Sequence, residues 1–99
     1  MVKEVHARHI LVKNQDKAKE LLVQIKAVPP TEAENKFKEL AMKFSECPSG
    51  KKGGDLGYFT RQKMVKEFED QGFAGKKGDI CGPFKTQFGW HLMFIVDQK

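Results

Sequence analysis

Apolar residues along the chain change their period several times, and each change marks a boundary between elements. Residues 5–13, VHARHILVK, alternate as a strand does, with Val5, Ala7, His9 and Leu11 on one side and Ile10 and Val12 on the other. Both sides carry apolar groups, which predicts a central strand covered on each face. From Gln15 the period lengthens: Ala18, Leu21, Leu22 and Ile25 fall at i, i+3, i+4 and i+7, one stripe of an amphipathic helix. Val28, Pro29 and Pro30 stop that helix, because proline has no N–H for the helical ladder and biases its predecessor toward extended backbone. VPPT at 28–31 is linker-like, and the connection over 28–36 reads as a long one, free to contact another domain.

TEAE at 31–34 predicts a capping box, in which the Thr31 hydroxyl accepts from the Glu34 N–H while the Glu34 side chain reaches back. Ala33, Phe37, Leu40, Ala41 and Phe44 then recur at helical spacing. Ser45–Gly54 reads as loop with room for one helical turn, Asp55–Phe59 as a short strand, and Met64–Gln71 as a short helix with Met64 and Phe68 on one side. After a loop at Gly72–Asp79, Cys81–Thr86 and Trp90–Val96 are strands joined by a tight turn at Gln87–Gly89. Strand, helix, helix, short helical turn, strand, helix, strand, strand is the order of an α+β fold. It predicts a four-stranded, mostly antiparallel sheet surrounded by three to four helices.

Composition narrows the class. With 99 residues, 39% hydrophobic and 31% charged, the chain is sized for a single domain over 1–99 with one core, and a domain excised from a longer protein fits the same numbers. No apolar run approaches the ~20 residues of a membrane helix, and MVKEVHARH lacks the apolar core of a signal peptide, so the chain as given reads as soluble. Cys47 and Cys81 are too few for a disulfide framework and lack metal-type spacing. They point to a reducing compartment such as the cytoplasm, or to an organelle if a targeting segment has been removed. A net charge of +5 raises the question of a nucleic-acid surface, yet the lysines are interleaved with acids, as on a solvated basic face.

Candidate chemistry concentrates in CPSGKKGGDLGYF at 47–59. A phosphate-cradling P-loop needs GxxxxGK[ST]; here the lysines precede the later glycines and no Ser or Thr follows a Gly-Lys pair. Gly53, Gly54 and Gly57 instead mark positions of positive φ or close backbone approach. Among His6, His9 and His91, the last two meet mid-sheet if the first and last strands pair. Zinc needs three or four ligands, and Cys47 and Asp55 show no ligand spacing. A Cys–His dyad for acyl transfer needs an oxyanion hole, for which CPSG offers nothing distinctive.

HILVK at 9–13, CPSGKKGGDLGYF at 47–59, KMVKEF at 63–68 and GPFKTQFGWH at 82–91 occur in that order, and with these separations the chain resembles the parvulin family of peptidyl-prolyl cis-trans isomerases over nearly its whole length. The resemblance implies a four-stranded antiparallel sheet surrounded by helices. It also implies rotation about X-Pro bonds of proline-containing polypeptides, with no metal, nucleotide or other cofactor; a monomer is expected, and nucleic acid is not the expected partner. By position it implies catalytic roles for His9, Cys47, His91 and Thr86, and a proline pocket of Leu56, Phe59, Met64, Phe68 and Phe88. Lys13, Lys51 and Lys52 would form a basic rim. Cys47 reads as a polar neighbour of the rotating carbonyl, not a nucleophile, because no acyl transfer occurs. Phosphate-directed members of the family carry an additional basic loop after the first strand. Here Lys13 is followed only by Asn14, Gln15 and Asp16, so turnover independent of phosphate is expected. Two other classes stay open: a substrate-holding chaperone module with little turnover, and a basic nucleic-acid or protein-binding domain.

Overall fold

The computed structural model describes residues 2–99. In chain order the elements are β1 (Val5–Val12), α1 (Gln15–Lys26), α2 (Pro30–Phe44), a 3₁₀ turn (Pro48–Lys52), β2 (Asp55–Phe59), α3 (Lys66–Ala74), β3 (Ile80–Thr86) and β4 (Gly89–Gln98). They form one sheet in the order β2-β1-β4-β3, antiparallel at every pairing. The expected α+β order and the central first strand are both observed.

The alternation along β1 sorts its side chains onto two cores. Ile10 and Val12 join Leu92 and Phe94 of β4 under α1 and α2, against Leu21, Ile25, Phe37 and Leu40. Val5 and Ala7 join Met93 and Ile95 on the other face, with Phe59 and Phe68 beneath α3. Residue-by-residue alternation thus splits the apolar load between two layers, and neither face of the central strands is left to solvent.

Asn14 starts α1: its side-chain oxygen accepts from the Lys17 N–H at 2.7 Å, satisfying a donor that no helical carbonyl can reach. The capping box at Thr31 does not form. Proline's missing N–H costs nothing at the first position of a helix and its φ is already helical, so α2 begins at Pro30, with Pro29 before it and no side-chain cap. The Glu32 N–H donates to the Pro29 carbonyl at 2.8 Å, and Glu34 turns to Arg8 instead of back along its own helix. The connection read over 28–36 is therefore short, because residues 30–36 belong to α2. Helix α3 also lies later than its apolar spacing suggested. Val65 holds extended backbone before it, and Gly72 lies inside it, where a Cβ would stand 3.1 Å from the Phe59 ring.

Gly54 and Gly57 both have positive φ, +78° and +70°, but for different reasons. A Cβ on Gly54 would fall 2.2 Å from the His9 carbonyl oxygen, whereas one on Gly57 meets nothing within 4 Å. Gly57→Ala is expected to lose about 1–2 kcal/mol, the usual cost of a left-handed backbone for an L residue. Gly54→Ala should lose at least twice as much, since the loop must also move off β1. Urea unfolding followed by Trp90 fluorescence measures both; equal losses would mean that the loop does not need its contact with β1.

Candidate active site

His9 and His91 project from neighbouring strands, β1 and β4, whose antiparallel register sets Leu11 opposite His91 and His9 opposite Met93. The two imidazoles are therefore diagonal neighbours on one face of the sheet. They are buried, and their Nδ1 atoms stand 3.3 Å apart. Phe68 meets each ring edge-on, and Phe84 stacks on His91 with centroids 5.4 Å apart. Above them opens a pocket of about 460 Å³ walled by Leu56, Met64, Phe68 and Phe88, with Cys47 and Pro48 on one side.

Each remaining ring nitrogen has one hydroxyl partner. His9 Nε2 lies 2.9 Å from Ser49 Oγ, and His91 Nε2 lies 2.7 Å from Thr86 Oγ1. Ser49 donates its hydroxyl hydrogen to Cys47 Sγ at 3.4 Å, so its oxygen is left to accept from His9 Nε2–H. His9 Nδ1 is then bare and accepts from His91 Nδ1–H, and His91 Nε2 accepts from the Thr86 hydroxyl. Thr86 Oγ1 in turn accepts from the Phe88 N–H at 3.2 Å. The hydrogen bonds run one way, from a backbone amide in the β3–β4 turn to the thiol at the edge of the pocket.

That direction requires both imidazoles to be neutral, and their surroundings keep them so. Burial, and then the proximity of His91, lower the pKa of His9 from 6.5 to about 4. Burial lowers His91 as well, opposed in part by the Glu67 carboxylate. Cys47 reaches the imidazoles only through the Ser49 hydroxyl, so the direct thiol–imidazole contact of an acyl-transfer dyad is not made. Among the described residues, no group of three or more His, Cys, Asp or Glu side chains is placed to hold a metal ion.

Of the residues singled out in the sequence, His9, Cys47, His91, Leu56, Met64, Phe68 and Phe88 come together around the pocket. Thr86 sits behind His91. Phe59 does not reach the wall: it is buried beneath Phe68, ring centroids 5.5 Å apart, because its place on β2 turns it into the core under α3. The basic rim is also displaced. Lys13 is exposed and pairs with Glu46 at 3.8 Å, Lys51 and Lys52 point to solvent from the 3₁₀ turn, and the lysine on the pocket wall is Lys63. Ser49, Leu11, Glu46, Lys63 and Phe84 are site residues that the sequence reading passed over. Leu11 was legible from its alternation with His9. Ser49 was not, because its contact depends on how the loop folds back across 40 positions of sequence.

A family model described as the PPIC-type PPIase domain matches residues 1–99. The chain is 47% identical over 100 residues to foldase protein PrsA 1 of Bacillus cereus, a match covering 97% of this chain and 32% of that protein. The chain thus spans about a third of the length of the curated relatives it matches. A solved structure from work on two SurA-like chaperones of Campylobacter jejuni superposes with a TM-score of 0.94 at 39% identity, covering all of this chain and 40% of that one. The parvulin of Nitrosopumilus maritimus superposes with a TM-score of 0.80 at 35% identity, covering 96% of this chain and 97% of that one.

These relatives overturn the expectation of a reducing, cytoplasmic compartment, since one of the two Campylobacter chaperones is described as a periplasmic protein. The inference from cysteine count fails for a structural reason. Cys47 is at the pocket edge beside Ser49, whereas Cys81 on β3 lies against Gly75 and its thiol pKa is raised by burial. Both are free, and two thiols placed apart to serve packing and hydrogen bonding carry no information on redox surroundings.

The lowered imidazole pKa makes stability depend on pH with a definite sign. Unfolded, His9 takes a proton at about pH 6.5; folded, it does so only near pH 4, so stability falls as the pH drops through that window. Between about pH 7 and about pH 5 the loss from His9 alone is about 2 kcal/mol, and His91 adds to it in the same direction. Urea unfolding over this range is expected to show the loss, and His9→Asn to show a flatter profile. Identical slopes in the two proteins would mean that the folded chain does not hold His9 neutral.

Proposed function

We infer that this chain, which belongs to the PPIC-type PPIase domain family, works as one peptidyl-prolyl cis-trans isomerase domain over residues 1–99, rotating X-Pro bonds of polypeptide segments with no covalent step. The observation that carries this reading is the pairing of an apolar-walled pocket with a one-way hydrogen-bond chain ending on a polar sulfur at its edge.

An X-Pro bond resists rotation with a barrier of about 18–20 kcal/mol, because the amide loses resonance as it twists. Nothing is broken, so a catalyst has only to favour the twisted amide over the planar one. In the planar form the amide is strongly polar and water stabilises it; as the bond twists, charge separation falls and the proline nitrogen regains its lone pair. Leu56, Met64, Phe68 and Phe88 would hold the ring where water is displaced, which removes that support from the planar state. Cys47 accepts from Ser49 and keeps its own S–H for the substrate carbonyl as it swings. His9, His91 and Thr86 do not touch the bond in this reading. They hold Ser49 in one polarity and so orient the sulfur.

The rim supports turnover that does not need phosphate. Lys13, the basic residue that follows β1, is exposed and pairs with Glu46 at 3.8 Å, and Glu46 itself lines the pocket. A phosphoryl group before the proline would meet Glu46 at close range, with Lys63 as the one lysine on the wall. SurA-like chaperone action, as described for the Campylobacter proteins, would use the same groove to hold a segment without turning it over.

A protease-coupled assay over a panel of X-Pro peptides separates these readings, since uncatalysed isomerisation takes about 10–100 s at 25 °C. Acceleration is expected, with peptides bearing an uncharged residue before proline turned over at least as well as phosphorylated ones. Binding without acceleration would support the holding module, and a strong phosphoserine preference would refute the reading of the rim.

Cys47 variants test the absence of a covalent step. Cys47→Ser and Cys47→Asp are expected to keep activity within about tenfold, roughly 1.4 kcal/mol of barrier, and Cys47→Ala to lose more. A peptide adduct on Cys47 by mass spectrometry, or complete loss in both polar variants with the fold intact, would sink the polar role.

A further inference from the structure

We propose that Arg8 is a positioning residue for the isomerase reaction, its guanidinium holding the Cys47–Ser49 loop onto β1 so that Ser49 stays within reach of His9. The proposal rests on the isomerase reading above and adds a residue from the opposite face of the sheet. Arg8 precedes His9 on β1, so its side chain leaves the strand on the other side. There it is almost enclosed, with 11% of its side chain exposed. Nε donates to Glu34 Oε2 at 3.2 Å, and Nη1 donates to the carbonyls of Lys52 and Gly53, each at 3.3 Å. One planar group thus ties α2 to the end of the 3₁₀ turn.

The loop that carries the site is pinned at two ends. At its entrance, Ser45 Oγ accepts from the Leu11 N–H at 3.1 Å, and the Glu46 N–H donates to the Leu11 carbonyl at 2.8 Å. At its exit the Gly54 N–H donates to the Ser49 carbonyl at 2.9 Å, and the Gly54 carbonyl accepts from the His9 N–H at 2.9 Å. Arg8 grips the two residues just before that junction. Gly53 is pressed so closely that a Cβ there would lie 3.0 Å from Arg8 Nη1. Ser49 therefore sits between a fixed entrance and an exit at which, among the described residues, Arg8 is the side chain hydrogen-bonded to the Lys52 and Gly53 carbonyls. A small slip at the exit breaks the bond from His9 Nε2 to Ser49 and with it the orientation of Cys47, while Met64, Phe68 and Phe88, which lie outside the loop, keep their side of the pocket.

The guanidinium is suited to this because its rigid fork serves a carboxylate and two carbonyls at once, which a lysine ammonium on a flexible stem does not. Arg8→Met and Arg8→Lys are the variants to make, with kcat and KM measured separately by NMR exchange on an unphosphorylated X-Pro peptide. Their His9 Nε2–H signal is read from ¹⁵N-histidine-labelled protein. Arg8→Met is expected to lose about tenfold or more in kcat, the scale of a misplaced catalytic constellation, with KM changed less than about twofold, and to lose the hydrogen-bonded His9 Nε2–H signal. Arg8→Lys should show the same loss in smaller degree with near-normal urea stability, so it decides the matter if Arg8→Met does not fold. Unchanged kcat together with an unchanged His9 signal in either folded variant overturns the proposal, even if stability falls. Should the unmodified chain turn over no X-Pro peptide, the isomerase reading has failed, and the imidazole signal still judges the clamp: lost in Arg8→Lys it supports the clamp, retained it refutes it.

Discussion

Two imidazoles share one Nδ1–Nδ1 hydrogen bond in the middle of the sheet, and much of the site follows from the fact that only one of those nitrogens can carry the hydrogen. The pair must hold opposite tautomers, so one Nε2 must donate and the other accept. Thr86 and Ser49 stand at those two atoms, and a hydroxyl can play either part. Direction is therefore imposed from the thiol end, where Ser49 gives its one hydrogen to Cys47 Sγ and is left to accept from His9. A proton on His9 would place two hydrogens between the Nδ1 atoms, and a proton on His91 would set an N–H against the Thr86 hydroxyl hydrogen, so charge on either ring breaks the arrangement.

Neutrality is in turn a product of the apolar site. The same aromatic side chains that would exclude water from a proline ring also desolvate His9 and His91, with Phe68 touching both rings and forming part of the pocket wall. One packing decision thus serves two ends: it makes the pocket dry and makes charge on the imidazoles unfavourable. Every described buried side-chain polar atom has a partner, so this is a satisfied network inside an apolar surround, the form in which buried polarity is least costly.

The architecture was legible in the sequence because it rests on periodicity. Alternation in VHARHILV showed a central strand, and its even and odd positions do separate into two cores. The same alternation put His9 and His91 on faces that meet. Helix starts were less legible, since Thr31 and Glu34 have the composition of a capping box, but Pro30 occupies the first helical position and Arg8 competes for the Glu34 carboxylate. Long-range pairings of this kind leave no periodic trace. Phe59 shows the same limit: an aromatic near the motif is as well suited to the core as to the pocket, and only the turn of β2 decides. Gly72 resembles a helix terminator in sequence and proves to be a contact point for an aromatic ring.

The glycine-rich stretch after the 3₁₀ turn finally shows how loop and sheet were fitted to one another. A loop that must bring a serine to an imidazole and a cysteine to a pocket has to lie flat against β1, and two successive residues of positive φ, Gly53 and Gly54, allow it. Flatness alone would leave a chain with high conformational freedom, because glycine restricts the backbone least. The compensation comes largely from contacts that reach the loop's backbone: the Leu11 carbonyl at the entrance, and the His9 amide and Arg8 at the exit. All three belong to β1. The strand that contributes one imidazole therefore also sets the height of the loop above it, so the distance between His9 and Ser49 is fixed by a single rigid element instead of by two that move independently.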